Sequence, residues 1–226
     1  MDLLFDFRAV GSRRASVIGT MTRPLIFTTT GPVDLLGVRF RPGGLPGFLA
    51  LDAAELTDTQ ADLTHFWAQV ANEVWHRLVE ATPAERIGLL QELLVVRANG
   101  RVQTDPFIRH SIARIEAAHG ELRIGDLEKS TGLSARQLER KFARHLGISP
   151  KTFARVVRFK GVAAAAANPD PPDWVTLAGD FGFADQSHLV REFKAFSGLT
   201  PAAYRDANGK PCQDVGFLQD ARSALG

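Results

Sequence analysis

Residues 182–205 read GFADQSHLVREFKAFSGLTPAAYR, and residues 132–155 read GLSARQLERKFARHLGISPKTFAR. Both segments open on glycine, continue through L-x-R-x-F, reach G-[IL]-[ST]-P, and place an aromatic residue three positions later. The later copy has one extra residue between its first Gly and its Leu. A chain that writes one pattern twice builds one structural unit twice, and the physical content of that unit decides the fold.

In the first copy a short helix over 125–131 is followed by a turn at Gly132, where a positive φ suits glycine. A second helix starts at Ala135, with Ser134 as N-cap and Gln137 three residues on, the pattern of a capping box. At 100° per residue, Leu138, Phe142 and Leu146 share one face, while Arg136, Glu139, Arg140 and Ala143 share the other. A helix, a tight turn and a second helix with a free polar face form a helix-turn-helix, and its second helix has the width of a DNA major groove. The second copy repeats this. Leu177, Ala178 and Phe181 belong to a supporting helix, Gly182 makes the turn, and Asp185 caps a helix with Leu189 and Phe193 inward and Ser187, Arg191 and Lys194 outward. Gln186 lies in its first turn. Between the copies, SPKTFARVVRFKGVAAAAAN (149–168) is expected to be one Ala-rich helix capped by Ser149-Pro150. Two reading helices on one rod match successive major grooves about 34 Å apart.

Outward from the repeat, RVQTDP (101–106) is a short polar stretch ending in proline and marks the expected domain boundary. Upstream, SVIGT, PLIFTTT and GPVDLLGVRFRP suggest strands with a turn at Gly31-Pro32, and RPGGLPGF (41–48) reads as loop. From Asp62 the apolar period becomes helical, with Phe66, Val70, Val74 and Leu78 on one face. Thr82-Pro-Ala-Glu85 starts another helix that carries Ile87, Leu90, Leu94 and Val95 on one side. Two such helices serve first as core, then as a dimer seam, and last as the wall of a ligand pocket, because apolar stripes are mostly core. The fold class is thus α+β. A small N-terminal domain over 1–104, strands then two amphipathic helices, precedes an all-α domain over 105–207 of two helix-turn-helix units joined by a linker helix. A weakly ordered tail over 208–226 follows.

Charge agrees with this division. Residues 1–104 hold ten Arg, no Lys and eleven Asp or Glu. Residues 134–160 hold eight basic residues against the single acid Glu139, which fits either a polyanion partner or a solvated helix face. The single cysteine, Cys212, excludes an internal disulfide and suits a reducing cytoplasm. There is no apolar run of the ~20 residues a membrane span needs. H-E-x-x-H, G-x-S-x-G, a P-loop and a cysteine cluster are all lacking, so nothing points to an enzyme, a metal or a cofactor.

Residues from about 107 to 206 resemble the DNA-binding domain of the AraC/XylS family of bacterial transcription regulators. The second copy, GF-x-D-Q-S-H-L-x-R-x-F-K-x-x-x-G-x-T-P-x-x-Y-R, carries the resemblance. The first copy departs at Glu128, beside Leu127, where many members have a small residue, and Glu128 is expected to face solvent. The segments MTRPL, DLLGVRFRPGG and ELTDTQADLTHFW resemble the sensor half of a subgroup of these regulators, which implies further strands before Met1. The resemblance implies a sequence-specific regulator with a double-stranded operator as partner, the alternative being a DNA-binding adaptor or architectural protein without small-molecule input. A small-molecule effector, a second copy of the chain and RNA polymerase are the further partners implied.

Side-chain chemistry then assigns roles. Arg136, with Glu139 and Arg140 behind it, is the candidate base reader of the first unit, since Arg bridges guanine O6 and N7 and Glu accepts from cytosine N4. Gln186, Ser187 and Arg191 are the candidates of the second. Arg140 and Arg191 serve as well for phosphate contact or internal ion pairing. Lys151, Thr152, Arg155, Lys194 and Thr200 are candidate phosphate contacts. Gln137 and Asp185 are expected to cap, and His188 to be structural or to meet phosphate.

Overall fold

A computed structural model describes residues 1–9, 14–25, 32–98, 105–168, 170 and 172–208. The N-terminal part is built on a four-stranded antiparallel sheet of β1 (Asp2–Asp6), β2 (Ala15–Ile18), β3 (Leu35–Arg39) and β4 (Gln60–Asp62), ordered β3-β1-β2-β4. Leu3 and Phe5 alternate into the core from β1, and β2 is buried throughout. The sequence pattern marks neither β1 nor β4 as a strand; they are five and three residues long and gain their place from pairing with β2 and β3.

The stretch expected as loop over 41–48 contains a helix instead, α1 (Gly44–Leu49). Its Leu45, Phe48 and Leu49 lie at helical spacing and bury into the same core, which outweighs the local Gly and Pro content. A 3₁₀ turn follows at Ala53–Leu56. The helical stretch after Asp62 is broken. α2 (Thr64–Trp67) ends at Ala68, whose φ of 46° interrupts the helix before α3 (Gln69–Glu80) begins. The break turns the buried face to Trp67, Ala71, Val74 and Leu78, and leaves Val70 exposed. α4 (Pro83–Ala98) begins as expected, with the Glu85 carboxylate accepting from the Thr82 amide and hydroxyl. Its Arg86 is buried, donates to Asp34 and to the Leu78 carbonyl, and lies over Phe7.

The C-terminal part is all helical: α5 (Pro106–Ala117), α6 (Ile124–Thr131), α7 (Ala135–Leu146), α8 (Pro150–Ala166), α9 (Trp174–Asp180), α10 (Gln186–Ser197) and α11 (Pro201–Asn208). Two cores form along α8. Phe153 and Ala154 at its start join Ile108, Ile112, Ile115, Leu127, Leu138, Phe142 and Leu146. Val162 near its end joins Leu177, Ala178, Phe183, Leu189 and Phe193. One rod of 17 residues, about 25 Å at 1.5 Å per residue, therefore belongs to both units and fixes them to each other. Residues 101–104 of the expected boundary, the expected turn at Gly31, and the tail with Cys212 lie outside the described residues.

Candidate nucleic-acid interface

Each reading helix is set by local chemistry. Gly132 takes the left-handed conformation, φ 69°, and its N–H reaches the Glu128 carbonyl, which ends α6. Ser134 and Gln137 then form the full capping box that starts α7. Leu138, Phe142 and Leu146 are buried, and Arg136, Glu139 and Arg140 are exposed on the opposite side. In the second unit Asp173 caps α9 through the amides of Val175 and Thr176. Gly182 turns the chain, and the Asp185 carboxylate accepts from the His188 amide at 2.6 Å to start α10. Leu189 and Phe193 are buried, while Gln186, Ser187, Arg191 and Lys194 are exposed. His188 lies edge-on to Phe183, and its Nδ1 accepts from the Ala184 amide, so it braces the turn.

The candidate phosphate contacts divide. Lys151 and Lys194 are exposed. Thr152 gives its amide to Ser149 Oγ and its hydroxyl accepts from the same group, while Thr200 Oγ1 accepts from the Ala203 amide. Arg155 makes a two-pronged ion pair with Glu192, Nε to Oε2 at 2.6 Å and Nη2 to Oε1 at 2.9 Å, which ties α10 to α8. The Arg155 hydrogen bond, with its charge in support, outweighs burial and holds the Glu192 carboxyl below the usual carboxylate range. Arg158 donates to the Gly182 carbonyl and lies over Phe183, a second brace from the rod to the turn.

Three features carried no sequence signal. Glu128 is partly exposed, as expected beside Leu127, but its Oε1 also accepts from the Ala135 amide at 2.6 Å, across the turn. The hydroxyls of Thr20 and Thr57, from the N-terminal part, donate to the carbonyls of Leu146 and Gly147 at the end of α7, each at 2.6 Å. Asp105, the N-cap of α5, pairs with Lys141 of α7. Burial alone would raise the Asp105 carboxyl, but the Lys141 hydrogen bond and the Phe107 amide hold it below its ordinary value. Among the described residues no group of three or more His, Cys, Asp or Glu is arranged to hold a metal ion.

The arrangement has known counterparts. A family model described as a helix-turn-helix domain matches residues 127–207, and a model described as a domain of unknown function (DUF6597) matches residues 1–62. The HTH-type transcriptional regulator MtrA of Neisseria gonorrhoeae is 29% identical over 108 residues, covering 47% of this chain and 35% of that protein. The chain thus spans about a third of the length of this curated relative. A probable AraC family transcriptional regulator from Rhodopseudomonas palustris is 25% identical and covers 46% of this chain and 98% of its own, with a TM-score of 0.42. An apo ToxT variant from Vibrio cholerae is 11% identical, covers 91% of this chain and 84% of its own, and has a TM-score of 0.50, a likeness of fold alone. The chain carries the double helix-turn-helix domain of AraC/XylS-type transcription regulators.

Proposed function

We propose that the protein is a cytoplasmic, sequence-specific transcription regulator that reads two neighbouring major grooves of one duplex with α7 and α10. The observation that carries this reading is the pairing of two capped helices, each with an exposed polar face, on a rod shared by both cores. Arg136, Glu139 and Arg140 read bases in the first unit, and Gln186, Ser187 and Arg191 in the second. Lys151, Lys194, Thr152 and Thr200 meet phosphates, while Arg155, held by Glu192, positions α10. The N-terminal domain is the sensing and pairing half. Its exposed Ile87, Val95 and Val96 on α4 support a second copy as partner. No helix among the described residues is long and apolar enough to cross a membrane.

Selection of bound duplexes from a random-sequence pool supplies the operator, and anisotropy titrations at several salt concentrations then test the roles. Arg136→Ala is expected to cost about 1–3 kcal/mol on the selected site and to relax preference at one base pair. Lys151→Ala is expected to weaken selected and scrambled duplexes alike and to flatten the salt dependence by about one charge. An Arg136→Ala protein with unchanged selectivity removes Arg136 from the readers. A pool that yields no enriched sequence removes the function. Light scattering on the full chain tests pairing, and thermal stability against a metabolite panel tests sensing.

A further inference from the structure

In the N-terminal part, a cavity of about 190 Å³ lies between the start of β2, the end of β4 and the helices α2 and α3. An apolar cavity of about 150 Å³ takes a benzene molecule, so this one has room for about six to eight heavy atoms. Ala15 and Ala71 wall it with buried methyl groups, and Arg14, Asp62, Asn72 and Trp75 bring polar side chains to its lining.

These side chains stand on fixed backbone. The Arg14 carbonyl accepts from the Asp6 amide, and the Ala15 carbonyl from the Leu63 amide. Asp62 Oδ1 accepts from the amide and the hydroxyl of Thr64. Between α2 and α3, Ala68 is held at φ 46° and ψ −126°, outside the regions an alanine favours. Strain of this kind persists where the surrounding structure imposes it, and it collects at ligand sites. Here it sets the direction in which α3 brings Asn72 and Trp75 to the cavity that Asp62 lines.

What these groups leave unpaired points to a ligand. Arg14 Nε and Trp75 Nε1 are buried and have no acceptor among the described residues. The two side chains are stacked, with the guanidinium carbon 4.6 Å from the centre of the indole ring. Buried N–H groups ordinarily have a partner, and donors on two adjacent side chains suit the two oxygens of a carboxylate. Asp62 Oδ2 accepts from no group among the described residues, and no ion pair joins Asp62 to Arg14. Opposite charges on the walls of one small cavity, kept from meeting, match a ligand that carries both signs.

We propose that this cavity binds a small zwitterionic α-amino acid, its carboxylate on Arg14 and the Trp75 N–H, its ammonium on Asp62 and the Asn72 amide oxygen. This rests on the reading of the N-terminal part as the sensing half, and it names the class of molecule sensed. The site is also placed to report its state. Strand β2, which follows Arg14, leads to Thr20, and β4 follows Thr57, the two hydroxyls that hold the end of α7.

The test is calorimetric titration of the full chain with L-alanine, L-lactate and ethylamine, a matched set in which the second lacks the ammonium and the third the carboxylate. L-Alanine is expected to saturate one site, with each analogue weaker by about tenfold or more, because each leaves a charged group of the site unpaired. Asp62→Asn keeps an acceptor for Thr64 and should bring L-lactate to within about threefold of L-alanine. Trp75→Phe keeps a ring under Arg14 and should weaken L-alanine and L-lactate about threefold to tenfold, with ethylamine unchanged. Urea midpoints check that both variants fold, and if either does not, the ratios among the three probes on wild type still decide the class. Equal affinity of wild type for L-alanine and either analogue overturns the proposal. Discrimination that survives both variants overturns it as well, since the site then lies elsewhere. If none of the three binds while a metabolite of another class raises thermal stability, the proposal falls and the sensing reading stands. If no metabolite of the panel stabilises the chain, both fall.

Discussion

Arg155 shows how one side chain can fix the placement of a neighbouring helix through a single ion pair, here with Glu192 of α10. Its guanidinium meets both oxygens of Glu192, a fork geometry that fixes orientation as well as distance. The pair spans from the rod to the reading helix, with Arg155 also lying over Phe196. Glu192 has its carboxyl depressed by that hydrogen bond, so the folded state favours its ionised form. A depressed carboxyl contributes stability that is present above the unfolded value of about 4.3 and is lost as pH falls through the lower folded value. Arg155 is about a third exposed, so solvent screening keeps the contribution modest. Arg155→Met, which keeps the apolar stem, is expected to lower stability by about 1 kcal/mol at pH 7, and the gap from wild type should shrink below about pH 4. Urea denaturation at both pH values checks this; a gap that ignores pH would mean the loss is one of packing.

At the scale of the element, α7 is held by different agents at its two ends, and two glycines separate them. Gly132 and Gly147 both adopt the left-handed conformation, with φ of 69° and 75°. A Cβ on Gly132 would meet nothing within 4 Å, whereas one on Gly147 would stand 2.5 Å from Thr57 Oγ1 and 2.7 Å from the Ala53 carbonyl oxygen. Gly132→Ala is therefore expected to cost about 1 kcal/mol, the conformational penalty alone. Gly147→Ala should cost about 2–3 kcal/mol, because backbone of the N-terminal part must also retreat. Equal urea midpoints for the two variants would mean that the N-terminal part does not dock on α7 in solution. The same helix explains what was legible in the sequence. Its turn, caps and two faces are written within sixteen residues, from Gly132 to Gly147, and the structure has the capping box and both faces as expected. The strand β1 and the helix α1 escaped reading because their apolar spacing acquires meaning only against a shared core. The Thr57 hydrogen bond to Gly147 spans 90 residues, and the Arg155 pair spans 37. Local pattern cannot announce a partner at that distance.

At the scale of the whole molecule, the N-terminal part reaches the far ends of both reading helices. Thr20 and Thr57 close the last carbonyls of α7, which no α7 amide can reach. Pro24 lies against Gly198, the C-cap of α10, at 3.2 Å from where a Cβ would be. Asp58 stiffens this contact, since its carboxylate takes the amide and hydroxyl of Thr22 and its amide reaches the Thr20 carbonyl. The segment after β2 and the 3₁₀ turn thus act on the reading helices as one body. Coupling through these contacts would be reciprocal: a shift of the N-terminal part would bias the reading helices, and duplex on those helices would bias the N-terminal part by the same free energy. The double variant Thr20→Val, Thr57→Val keeps side-chain shape and removes both hydroxyl donors. At about 1 kcal/mol per hydrogen bond, amide exchange in the last turn of α7 should speed up about tenfold or more, with α9 unchanged. Duplex binding should slow exchange at the Asp58 and Thr59 amides in the wild type and leave it unaltered in the double variant. Hydrogen exchange on the full chain, with and without a duplex taken from the selected pool, measures both effects. Protection at Asp58 and Thr59 that responds to duplex equally in the two proteins would show that the signal between the halves runs by another path.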